Sequence, residues 1–157
     1  MGCGPRSTSE GVAETVRAFA VEPGPSRLAA ARAWIDDAYA ADTVAEIVAR
    51  LRARPEAEAS ATADALETLS PTGLAATLAG VRAARELPDL RAALAQEYAV
   101  VMWFVTGRAD LVEGIRAQLV DKDREPHWQP ATIAELEPGL GESALAHRPG
   151  IPLWGAT

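Results

Sequence analysis

The chain is poor in the residues that build reactive sites. It has one cysteine, Cys3, two histidines, His127 and His147, and one lysine, Lys122, in 157 residues. A single cysteine excludes an intrachain disulfide and suits a reducing compartment, so a cytoplasmic location is expected. Neither histidine has a second histidine or a thiolate at ligand spacing, which leaves no metal site to read from sequence. The patterns GxGxxG, GxxxxGK[ST], HExxH and GxSxG are absent, so no nucleotide cradle, zinc protease helix or serine elbow is expected, and no cofactor. Apolar runs are too short to span a bilayer, and Met1 to Glu10 has no apolar stretch of the kind a secretory signal needs. The formal net charge is −7, which disfavours nucleic acid as a partner because phosphates need a concentrated basic surface. Aromatic residues make up only 5% of the chain, so a core must be built mainly from small aliphatic side chains.

Alanine is abundant and costs least in a helix. Val12, Val16 and Phe19 recur at helical spacing between Glu10 and Ala20. Pro23, Gly24 and Pro25 interrupt. Ser26 can then cap a helix to about Tyr39, with Leu28, Ala31, Ile35 and Ala38 as its stripe. Thr43 and Glu46 have capping-box spacing ahead of Val44, Ile47, Val48 and Leu51. Ala59, Ala63 and Leu66 mark an alanine-rich helix after Pro55. Ser70-Pro71 opens the next one, with Leu74, Leu78 and Val81 as its stripe. Pro88 and Asp89 precede the longest apolar helix, about Leu90 to Thr106, with Leu90, Leu94, Tyr98, Val101 and Val105 on one face and Gly107 placed for a left-handed cap. A further helix from about Ala109 to Val120 has Leu111, Ile115 and Leu119 as its expected inward side. No segment alternates as a strand. The pattern predicts an all-α fold, a bundle of about six to seven short amphipathic helices. It is organised as a flexible lead-in over 1–9, a helical domain over 10–137 and an irregular tail over 138–157.

Asp110 to Ala131 is the richest stretch. An amphipathic helix runs into a charged turn and then a tryptophan between two prolines. Glu113 and Arg116 are three apart and can pair on a solvated face. Asp121, Lys122 and Asp123 set one cation between two anions at a helix exit, where the plain reading is a dipole-stabilising lysine paired to its neighbours. Trp128, held between Pro126 and Pro130, reads as a packing anchor, and His127 as a loop histidine.

These residues carry a resemblance. Glu113-Gly114-Ile115-Arg116-Ala117, Asp121-Lys122-Asp123 and Pro126-His127-Trp128-Gln129-Pro130-Ala131 occur in the order and spacing of the C-terminal end of 3-hydroxyisobutyryl-CoA hydrolases, a branch of the crotonase (enoyl-CoA hydratase/isomerase) superfamily. Ala41 to Ile47, Leu69 to Leu74 and Gln96-Glu97-Tyr98 also resemble that branch, so the likeness runs over roughly Val12 to Leu136. Ala99 and Leu111 stand where the branch usually has arginine and phenylalanine.

The resemblance implies a CoA-thioester hydrolase of valine breakdown, in which a preceding crotonase core supplies the oxyanion hole and the acidic residues that manage water. No catalytic residue carries over to these positions, and no turnover is expected of the chain alone. The resemblance further implies a crotonase core, as a domain or a separate chain, as partner, acyl-CoA as ligand of the whole enzyme, and contacts between copies. Lys122, with Arg124 behind it, becomes the candidate contact to the CoA phosphates. A stand-alone helical interaction module is the rival reading. An apolar exposed surface is expected where a core would dock.

Overall fold

The computed structural model describes residues 8–22 and 24–154. Cys3 and most of the 1–9 lead-in lie outside them. Eight α-helices and no strand occur among the described residues. They are α1 (Thr8–Phe19), α2 (Arg27–Tyr39), α3 (Val44–Arg52), α4 (Ala57–Glu67), α5 (Pro71–Ala84), α6 (Leu90–Gly107), α7 (Ala109–Ile115) and α8 (Leu140–Ala146). The chain divides into two compact units, residues 1–33 and 34–157, with the boundary inside α2. In the first unit, Val12, Val16, Phe19 and Leu28 are all exposed.

The second unit holds the core, and its helices start where the polar caps allow. The Thr43 hydroxyl accepts from the Glu46 amide at 3.2 Å, and the Glu46 carboxylate accepts from the Thr43 amide at 3.3 Å. Ser70 Oγ accepts from the Gly73 amide at 2.9 Å, with Pro71 in the first turn of α5, and Asp89 Oδ1 accepts from the Ala92 amide at 2.8 Å. Each such cap satisfies an amide with no partner inside its helix and stabilises by about 1 kcal/mol.

α3 buries Val44, Ile47, Val48 and Leu51, and it packs on α4 through the small Ala59 and Ala63. Trp34 and Ala38 on the last turns of α2 are buried, so the tryptophan is a covered residue. Arg50 and Arg54 join this layer by bonding the Asp37 carbonyl at 2.9 Å and its carboxylate at 3.4 Å. A second cluster joins Ala76 of α5, Trp103 of α6 and Ala144 of α8, with Val100, Phe104 and Leu140 packed around it. Trp103 meets Phe104 edge-on at 5.1 Å, and the Arg108 guanidinium lies 4.2 Å from the Trp103 ring centre. Both contacts suit the negative face and positive rim of the ring.

The structure differs from the sequence expectation in four places. The 138–157 stretch is not irregular throughout, because α8 forms there and packs closely on α5. Its buried residues are Gly141 and Ala144, which are too small to leave an apolar signature. Gly107 lies inside α6 rather than in a left-handed cap, and Arg108, at φ −132, separates α6 from α7. On α6 the stripe of Leu90, Leu94, Val101 and Val105 is exposed, while Ala99 and Trp103 are buried. On α7 and its continuation, Leu111, Ile115 and Leu119 are exposed and Asp110 and Ala117 are buried. Among the described residues no helix is long and apolar enough to cross a membrane.

Gly139 enters α8 at φ 80, a conformation glycine adopts without strain. Gly141 is needed for another reason. A Cβ there would lie 2.5 Å from the Ala75 carbonyl oxygen and 2.8 Å from Ala79 Cβ. Gly141→Ala should therefore separate α8 from α5 at a cost of about 1–3 kcal/mol, lowering the Tm by several degrees. Gly107, where nothing lies within 4 Å, is the control, and Gly107→Ala should leave the Tm unchanged or raise it. Circular dichroism melting of both variants checks the pair, and an unchanged Tm for Gly141→Ala counts against the close approach.

Candidate functional site

The Asp110–Ala131 stretch forms one connected structure. After Ile115 the helix widens into a π-turn, Arg116–Val120, in which the Asp121 amide reaches back to the Arg116 carbonyl at 2.9 Å. Such widened turns recur at functional sites because they re-aim the side chains around them. Here the turn swings the chain back so that residues 121–127 pass over Arg116. The guanidinium holds Glu113 through two parallel bonds, Nε to Oε2 at 2.9 Å and Nη2 to Oε1 at 2.8 Å. It also donates to Asp121 Oδ2 and Asp123 Oδ2, both at 2.6 Å, and to the Glu125 carbonyl at 3.1 Å. Glu113 Oε1 accepts in addition from the His127 amide at 2.7 Å.

The Glu113 and Arg116 side chains are only 18% and 29% exposed, so the pair is a clasp over a returning strand of chain rather than a solvated face. The Arg116 hydrogen bonds, with the His127 amide beside them, hold the Glu113 carboxyl down at about 2. The three carboxylates, Glu113 foremost, raise the Arg116 pKa. Arg116 also lowers that of Asp123, with help from the Glu125 amide.

A second anchor lies beneath. Asp110 is 4% exposed, and its carboxylate accepts from the Gln129 amide at 3.0 Å and from the Ser70 hydroxyl. Trp128 donates from its indole nitrogen to the Thr68 carbonyl at 3.1 Å and lies beside Gly114, where a Cβ would sit 3.4 Å from the ring. Thr72, also buried, donates to the Gln129 carbonyl at 3.3 Å. Trp128 is thus a packing anchor that fastens the returning segment 121–129, the strap, to the end of α4, while Thr72 holds it to the start of α5. The hydroxyl that caps α5 is the same one that bonds Asp110, 40 positions later.

Lys122 and Arg124 occupy the outer edge of the strap. Both are exposed, and both have left-handed backbones, at φ 58 and 60. The Arg124 amide bonds the Ala117 carbonyl at 3.1 Å, which ties the turn to the helix. The expected pairing of Lys122 with Asp121 or Asp123 does not occur, because both carboxylates are turned to Arg116. Neither cation has an acidic partner among the described residues.

Two further features lie in the second unit. The exposed apolar stripe of α6 is followed along the chain by exposed Val112, Ile115 and Leu119. Separately, an open cleft of about 420 Å³ lies between the start of α3, α5 and α8, lined by Val44, Leu78, Ile133, Leu136 and Leu145 among others. Its only lining cation, Arg82, is engaged by the Ala41 and Asp42 carbonyls. Neither Lys122 nor Arg124 lines it.

The reading from sequence expected the Trp128 anchor and put Lys122 and Arg124 forward only as candidates. It did not find Asp110 or the central place of Arg116. The excess of carboxylates over cations around Arg116 was the available signal. Its partners depend on a turn back that no periodicity encodes.

The second unit is all-α among the described residues and carries exposed apolar stripes on α6 and α7. Residues 4–145 match the family described as enoyl-CoA hydratase/isomerase, and the chain belongs to that family. It is 36% identical over 114 residues to 3-hydroxyisobutyryl-CoA hydrolase 1 of Arabidopsis thaliana, a match covering 69% of this chain and 30% of that protein. It is 35% identical over 100 residues to the mitochondrial 3-hydroxyisobutyryl-CoA hydrolase of Danio rerio, covering 64% and 26%. A crystal structure described as a carnitinyl-CoA dehydratase from Mycobacterium thermoresistibile matches with a TM-score of 0.79 and 44% identity over 90% of this chain and 40% of that one. One described as an enoyl-CoA hydratase from Rhodobacter sphaeroides gives 0.70 and 35% over 88% and 42%. The chain thus spans less than a third of the length of these curated relatives.

The clasp has a pH signature. Glu113 titrates at about 2 when folded and near the ordinary 4.5 when released. Its contribution is therefore complete above pH 4.5 and is lost as pH falls from there through 2. In NMR spectra the His127 amide and Trp128 indole signals should shift toward solvent-exposed values across that window. Glu113→Gln should show the loosened strap already at pH 7. Wild-type signals that stay fixed from pH 4.5 to 2 would contradict the clasp.

Proposed function

We propose that this chain is the helical C-terminal part of a CoA-thioester hydrolase acting on 3-hydroxyisobutyryl-CoA in valine breakdown. The family match over residues 4–145, together with the hydrolases among the curated relatives, carries this reading. In the whole enzyme the main catalytic contribution would be hydrogen-bond donors aimed at the oxyanion formed as water attacks the thioester carbonyl. Those donors belong to the crotonase core, and this chain supplies the helices that lie against it. The exposed stripes of α6 and α7 support such a docking face, since soluble monomers seldom leave large apolar patches uncovered. Lys122, seconded by Arg124, contacts the CoA phosphates as a point charge, its flanking aspartates being paired to Arg116 instead. The single cysteine fits the cytoplasm or another reducing compartment, and several relatives carry "mitochondrial" in their names.

A second reading is a non-catalytic helical module that associates with itself or with another protein, and the same exposed stripes favour it. One experiment separates the two. The chain is mixed with the crotonase core of a 3-hydroxyisobutyryl-CoA hydrolase, and free thiol is followed after 3-hydroxyisobutyryl-CoA is added. The hydrolase reading expects thiol release from the mixture and none from this chain alone. Release by this chain alone, or self-association that excludes the core, would overturn it. In the active mixture Lys122→Ala should weaken CoA binding about fivefold, the scale of one exposed charge contact, with the Tm unchanged. Unaltered affinity rejects the lysine's role.

A further inference from the structure

Lys122 and Arg124 are separated by Asp123 and preceded by Asp121, and in an extended or freely turning segment these four side chains would neutralise one another. The structure shows a different arrangement. Asp121 Oδ2 and Asp123 Oδ2 each lie 2.6 Å from Arg116 Nη1. Asp123 also accepts from the Glu125 amide through its other oxygen, at 3.0 Å. Both anions are therefore drawn to the helix side of the turn. The π-turn and the bond from the Arg124 amide to the Ala117 carbonyl fix the chain in that path. The left-handed backbones at 122 and 124 hold the two cations on the exposed edge.

We infer that Arg116 is a positioning residue for phosphate recognition, which acts by holding Asp121 and Asp123 on the helix side of the turn so that Lys122 and Arg124 have no ion-pair partner among the described residues and are left to meet the phosphate groups of a CoA thioester. This rests on the CoA reading of Lys122 given above. The ligand chemistry required is a phosphomonoester or diphosphate, which two outward cations two residues apart can address together. Arg116 itself touches no ligand. Five oxygen acceptors already surround its guanidinium.

The test is a rescue experiment in the reconstituted mixture of chain and core, with CoA affinity measured by titration and the Tm recorded for every variant. Arg116→Met frees the two aspartates to pair with Lys122 and Arg124, and CoA should bind about threefold to tenfold more weakly. Adding Asp121→Asn and Asp123→Asn to Arg116→Met removes those anions, and affinity should return to within about twofold of wild type even where the Tm does not recover. Binding of an acyl-pantetheine, which lacks the nucleotide phosphates, should be the same in all these forms. Should Arg116→Met lower the Tm and affinity together, with no rescue by the asparagines, Arg116 is structural and the inference fails. If Lys122→Ala weakens CoA binding but Arg116→Met does not, the inference fails while the CoA reading stands. If the wild-type mixture binds CoA no better than acyl-pantetheine, the CoA reading fails and takes the inference with it.

Discussion

Arg116 faces three carboxylates and a backbone carbonyl from one guanidinium, and the path of the chain from 113 to 127 follows from satisfying them. To bring Asp121, Asp123 and Glu125 to a side chain on the helix they have just left, the backbone must widen and turn back. The π-turn and two left-handed residues are the means. Once the strap returns, Glu113 can take the His127 amide, Trp128 reaches the Thr68 carbonyl and Gln129 meets Asp110. Pairs of this kind contribute little when solvated one at a time. A partly buried guanidinium shared among several acids in fixed geometry is the arrangement in which they matter.

That arrangement also decides which side of α7 faces the protein. The inward side carries Asp110, Glu113, Gly114, Arg116 and Ala117, and it is held by hydrogen bonds and close packing instead of by apolar burial. The branched aliphatic residues are left on the outside. The same inversion holds on α6, where Trp103 and Ala99 face inward and the leucine and valine stripe faces out. α6 and α7 thus both leave their branched aliphatic side exposed.

Much of the fold was legible in the sequence because helix starts are written in local chemistry. Thr43, Ser70 and Asp89 each cap the helix that their spacing announced, and proline marked the breaks. The orientation of α6 and α7 was not legible, because periodicity identifies a stripe without saying what covers it. Residues 140–146 were missed because the contacts that fasten α8 are made by Gly141 and Ala144, whose value lies in letting backbones approach. The Trp128 anchor could be named from the sequence, and Lys122 and Arg124 could be put forward as candidates from a family pattern. The Asp110–Ser70 contact and the hub at Arg116 could not, since both join residues through a turn back or across 40 positions.

The left-handed backbones at 122 and 124 have a consequence for stability. A lysine and an arginine in that conformation cost about 1 kcal/mol or more each relative to glycine, which adopts it freely. Glycine at either place would give a hairpin bend that forms more readily than the natural one. The bend is therefore less robust than its own backbone geometry permits, and what the chain keeps in exchange is a positive charge at each of these two links.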